Sequence, residues 1–69
     1  MKHVTGGEFC RALERKGWRF LRVGKNAHHV YRSPDGRTIV SVPVKGHHTM
    51  KTGTQKRFMR QAGLTDADL

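Results

Sequence analysis

Apolar residues change their period along this chain, and each change marks an element. Between Glu8 and Lys16, Phe9 and Leu13 recur four residues apart with Cys10 and Ala12 beside them, while Arg11, Glu14, Arg15 and Lys16 fill the other side. That spacing predicts a short amphipathic helix. Thr5 or one of the glycines Gly6 and Gly7 caps its start, Glu8 suits the first turn, and Arg15-Lys16 followed by Gly17 is a conventional stop. Trp18 to Val23 is rich in aromatic and branched residues and reads as a strand. Gly24 to Ala27 is a turn, His28 to Ser33 a second strand, and Pro34-Asp35-Gly36 a tight turn into a third strand over Thr38 to Val44. A polar loop, Lys45 to Gly53, leads to a second helix over Thr54 to Ala62. It turns Phe58, Met59 and Ala62 inward and stops at Gly63. The short acidic tail from Thr65 to Leu69 is expected to fray.

The order is helix, three strands, helix, which predicts one α+β domain over residues 1–69. Three antiparallel strands with both helices on one face make a two-layer sandwich whose other face is open. A chain of this size buries only about 60% of the surface it exposes when unfolded, so it has a single modest core. Trp18 is expected in that core beside the first helix. Side chains alternate along a strand. With Val30 taken to face the helices, His28 and Arg32 share its side, and His29 and Tyr31 point to the open face.

Charge narrows the choice of partner. Fourteen Lys and Arg stand against five Asp and Glu, a formal net charge of +9. The basic residues run from Lys2 to Arg60, so they decorate a folded body, and a polyanion is the natural partner. The single Cys10 allows no internal disulfide, in keeping with a reducing cytosol. No apolar run approaches the roughly 18 residues of a membrane span, and the N-terminus lacks the apolar core of a signal peptide. A cytoplasmic protein without membrane contact is therefore expected.

Five histidines add the candidate chemistry, four of them in the doublets His28-His29 and His47-His48. Histidine exchanges protons near neutrality, and a ribonuclease that works without metal needs such a group to deprotonate the 2′-hydroxyl. By composition alone a strand histidine more often packs or is solvated than does chemistry. Neighbouring strand residues point to opposite faces, so neither doublet chelates by itself, and no second cysteine or converging carboxylate joins them. Neither a metal site nor a cofactor is expected. Lys45, Lys51 and Lys56, around the second helix, are the candidate phosphate contacts, and Tyr31 a candidate base-stacking residue. In the reaction these residues suggest, neutral histidine takes the 2′-hydroxyl proton and cationic side chains stabilise the phosphoryl oxygens. His28, Tyr31 or water then protonates the leaving 5′-oxygen. A non-catalytic RNA-binding module of double-stranded RNA-binding type fits the same fold and charge. Histidines at the turn, where a pure binder would use Lys or Arg, favour the enzyme.

Several segments in order carry a further resemblance. They are the first helix ending Arg15-Lys16-Gly17-Trp18, Gly24 leading into His28-His29-Val30-Tyr31-Arg32, then Asp35-Gly36-Arg37 and Val42-Pro43. Gly53-Thr54 and Arg60-Gln61-Ala62-Gly63-Leu64 close the series. Together they resemble the HicA-type toxins, the small mRNA interferases of bacterial type II toxin–antitoxin pairs. The resemblance implies a fold like a double-stranded RNA-binding domain, metal-independent cleavage of mRNA, and silencing by a HicB-type antitoxin. It places the catalytic role on the histidine directly before the strand's apolar residue, here His29, with His28 as second choice. The partners it implies are mRNA and the antitoxin, which is expected to cover His29; no DNA binding by this chain alone is expected. Two positions depart from the family pattern. The turn before the histidines has no serine, leaving Lys25 or Asn26 to make its phosphate contact, and Gln55 stands where an apolar residue is usual.

Overall fold

A computed structural model describes residues 1–69. Helix α1 (Gly6–Arg15) is followed by strands β1 (Arg19–Val23), β2 (His28–Arg32) and β3 (Ile39–Pro43), and then by helix α2 (Thr52–Ala62). Single 3-10 turns occupy Lys25–Ala27 and Asp66–Asp68. The strands form one antiparallel sheet in the order β1-β2-β3. This is the expected α+β architecture, with each element within two residues of its predicted bounds.

Helix α1 starts at Gly6 because Thr5 is its N-cap. The Thr5 hydroxyl accepts from the Glu8 N–H, and the Glu8 carboxylate accepts from the Thr5 N–H. This reciprocal pair satisfies two otherwise unpaired donors, so both glycines lie inside the helix. Gly6 is needed there for space: a Cβ at this position would sit 2.1 Å from the Pro43 carbonyl oxygen. Its absence lets the start of α1 press against the end of β3.

The core joins Phe9, Cys10 and Leu13 of α1 to Phe58 of α2 and to Tyr31, Val40 and Val42 of the sheet, with Trp18 and Leu64 completing it. Both helices therefore cover the same face. It is not the face expected. Tyr31 pairs with Val40 and His29 with Val42, and residues directly opposite in a ladder share a side. Tyr31 and His29 thus lie on the helix side, whereas His28, Val30, Arg32, Ile39 and Ser41 lie on the open side. Val30 is buried there all the same, at 5% exposure.

The termini are tied together rather than frayed. The fully buried Gln55 accepts from the Val4 N–H through its side-chain oxygen and donates to the Lys2 carbonyl through its amide nitrogen. Gln55 thereby anchors the segment before α1. The C-terminal turn carries its own capping box between Thr65 and Asp68. The Lys2 ammonium and Arg15 guanidinium donate to the Leu69 and Asp68 carbonyls, and Lys16 pairs with Asp68 at 3.2 Å.

Candidate functional site

The site begins with the turn that aims the histidines. Gly24 N–H donates to the His28 carbonyl at 2.6 Å, closing a tight loop over Lys25, Asn26 and Ala27. Asn26 and Ala27 both have φ near +58°. Asparagine tolerates this left-handed conformation, but alanine carries a Cβ penalty of about 1–2 kcal/mol. The Val44 N–H holds the strained segment in place by donating to the Ala27 carbonyl at 3.2 Å. Lys25 stands exposed on this turn.

The doublet that follows is split by the pleat. His29 is half-buried on the helix side, its ring 5.7 Å from that of Phe20, and Phe20 packs edge-on against Tyr31 at 5.6 Å. The row ends in the carboxylate of Glu14, which accepts from the Tyr31 hydroxyl. His28 points to the other side, its Nδ1 3.5 Å from the Ser41 hydroxyl oxygen. The expectation that His29 and Tyr31 share a face holds, but their face is the packed one.

Tyr31 is consequently a core residue. It is 2% exposed, which leaves no ring surface for a base to stack on. Burial raises the phenol well above its ordinary range, and the hydrogen bond to Glu14 raises it further. Neither RNA contact nor proton donation suits it. Burial likewise pushes the neighbouring Cys10 thiol up to about 11.

A groove of about 380 Å³ opens beside the histidine end of the sheet. Pro43, Lys45, His48, Lys51 and Thr54 line it, and Pro43 is the cross-strand partner of His28. Lys45 and Lys51 thus come together, along with His48 from the second doublet. Lys51 is also the N-cap of α2, and the first turn of that helix has no acidic residue. The positive end of the helix therefore adds to the lysines' field. Lys56 is exposed farther along α2 and does not line the groove.

The protein neutralises little of its own charge. Glu8 is used by the Thr5 cap and Glu14 by Tyr31. Asp35 accepts from Ser33 and from the Arg37 N–H. Asp66 accepts from the Lys2 N–H and pairs with the N-terminus, and Asp68 binds Thr65 and Lys16. All five carboxylates are engaged, and Lys16 is the one Lys or Arg side chain in an ion pair. Sequence reasoning missed three arginines gathered on the open face, Arg19, Arg22 and Arg32. Arg19 pairs with Arg32 and Arg22 with Val30. Positions 19 and 22 are an odd number of residues apart, and strict alternation would separate them. A bulge that leaves Leu21 without a partner restores them to one side.

No three His, Cys, Asp or Glu side chains converge as a metal site would require, and no helix is long and apolar enough to cross a membrane. No curated protein matches the chain. The family model for the HicA toxin of bacterial toxin–antitoxin systems matches residues 6–64, from the first residue of α1 to just beyond the cap of α2. That span takes in the strained turn, both histidine doublets and the groove, and the chain belongs to the HicA toxin family.

Proposed function

We propose that this toxin is a metal-independent endoribonuclease that cleaves mRNA with His29 as general base and is held inactive by a HicB-type antitoxin. The observation that carries this reading is the seat of His29. It is half-buried against Phe20, on the strand whose end adjoins the Lys45–Lys51 groove. Neutral His29 removes the 2′-hydroxyl proton, and the oxygen attacks the adjacent phosphorus. Lys45 and Lys51, with the start of α2, stabilise charge building on the phosphoryl oxygens. Lys25 steadies the neighbouring phosphate. The leaving 5′-oxygen takes its proton from His48, which lines the same groove, or from solvent.

Incubating the purified protein with a single RNA, with and without EDTA, tests this directly. Cleavage is expected to survive the chelator and to leave a 2′,3′-cyclic phosphate, because the 2′-oxygen is the nucleophile. DNA, and RNA methylated at the 2′-oxygen of the cut site, should resist. Cutting of DNA at a comparable rate, or loss of activity in EDTA, would overturn the mechanism. RNA binding without any product would mark the chain as a binder only.

A further inference from the structure

Strand β1 is the least covered part of the sheet. All five of its residues are exposed, and the order β1-β2-β3 leaves its outer edge unpaired. No loop or terminal backbone group bonds to it. It nevertheless carries Phe20, Leu21 and Val23 at 48%, 42% and 55% exposure. Register assigns these residues to sides. Phe20 and Val23 lie opposite Tyr31 and His29, on the helix side, whereas Arg19 and Arg22 lie opposite Arg32 and Val30, on the open side. The edge therefore presents an apolar row on one side and a cationic row on the other.

Phe20 meets His29 and Tyr31 with one side of its ring only, leaving it 48% exposed beside Val23, and no carboxylate answers the cationic row. The five carboxylates are engaged elsewhere; Arg32, opposite Arg19 in the ladder, turns its guanidinium to the Gly36 carbonyl, and Arg19 and Arg22 have no acidic partner. The net charge of +9 also discourages a second copy of this chain from pairing edge to edge, while it favours an acidic partner.

Resting on the toxin–antitoxin reading, we infer that the antitoxin docks by adding an extended segment to the outer edge of β1. Apolar side chains of that segment lie over Phe20 and Val23, and Asp or Glu side chains at the alternating positions face Arg19 and Arg22. Main-chain hydrogen bonds supply affinity in this kind of strand addition, and the alternating side chains supply specificity. The residue types favour a protein over RNA as occupant. The strand holds arginines and an aromatic residue but no lysine, the bias of protein interfaces, while lysines line the groove at the other edge of the sheet. Val23 is the cross-strand partner of His29. A segment on this edge therefore runs alongside the His29–Phe20 pair and screens it without any conformational relay.

The test uses the full chain and its purified cognate HicB-type antitoxin. Amide hydrogen exchange in the complex is expected to show new protection at Arg19–Val23. The double variant Arg19→Glu, Arg22→Glu should lose affinity on the order of 10²-fold, with a smaller loss for Arg19→Gln, Arg22→Gln. Cleavage of RNA by both variants should persist, which reports an intact fold. A formed complex with β1 unprotected, or undiminished affinity on charge reversal, would overturn the docking surface while leaving the toxin reading intact. Loss of RNA cleavage with antitoxin affinity retained would make this face part of the RNA path and also overturn the proposal. Failure of the parent protein both to cut RNA and to bind the antitoxin would instead remove the functional reading on which it rests.

Discussion

The two faces of the sheet are built from alternate residues of the same three strands, yet they share almost no chemistry. On the helix side, Tyr31, Val40 and Val42 close against Phe9, Leu13 and Phe58, and even the hydroxyl of Tyr31 is committed to Glu14. On the open side stand Arg19, Arg22, Arg32, Ile39 and Ser41, without one carboxylate among them. His28 and His29 are adjacent in sequence and divided between these environments. The contrast shows where this small protein spends its packing. A functional group is held in a fixed geometry when neighbouring side chains lock its rotamer, and of the two histidines it is His29 that abuts the packed aromatic row.

Exchanging the histidines should produce the largest effect. His29→Ala is expected to lower the rate of RNA cleavage on the order of 10²–10⁴-fold, the usual cost of losing a general base, with unchanged far-UV circular dichroism. His28→Ala should cost far less. Equal losses, measured by single-turnover cleavage, would erase the functional distinction between the faces. A larger loss at His28 would move the chemistry to the open side.

Stability sharpens the same contrast within one strand. Val42 of β3 is fully buried on the helix side, whereas Ile39 is 59% exposed on the other. Val42→Ala should destabilise by about 2–3 kcal/mol through lost burial and the cavity left behind. Ile39→Ala should remain within about 0.5 kcal/mol of the parent. Urea unfolding of the two variants measures the difference directly, and similar costs would mean that the open face is packed as well.

A pH dependence confined to the packed side is the last expected effect, because it appears only in alkaline solution. Burial raises Cys10 from 9.0 to about 11, so the folded protein holds this proton more tightly than the unfolded chain does. The resulting stability is complete below about pH 9 and is lost as the pH rises through about 11. Tyr31, raised chiefly by burial, acts in the same direction. Thermal melts should fall across this window, and Cys10→Ala should make the fall shallower. An unaltered slope would show that the thiol contributes nothing to it.

Much of the architecture was legible because it rests on local rules. Thr5 and Glu8 are three residues apart, which suffices for a capping box. Phe9 and Leu13 fix the inner stripe of α1, and Pro34-Asp35-Gly36 joins β2 to β3 as a turn. The positions flanking the histidines were legible as a turn too, though not that Ala27 would adopt a left-handed backbone held by Val44. The tail was misread because its order comes from partners more than fifty residues away, Lys2 and Arg15.

By itself the sequence determined the elements, their order, the family and the pairing of His29 with Tyr31 on one side of β2. It did not determine which side, because alternation is a relative rule that either phase satisfies. That phase was decided by the third strand. Val40 and Val42 alternate with Ile39 and Ser41, so burying the two valines together selects one face of β3. Antiparallel pairing of Tyr31 with Val40 and of His29 with Val42 then carries that choice to β2, and a single Val30 cannot outweigh it. The arginine face emerged in the same way. Only a bulge, itself a product of pairing β1 with β2, brings Arg19 and Arg22 to one side and leaves the catalytic candidate His29 on the other.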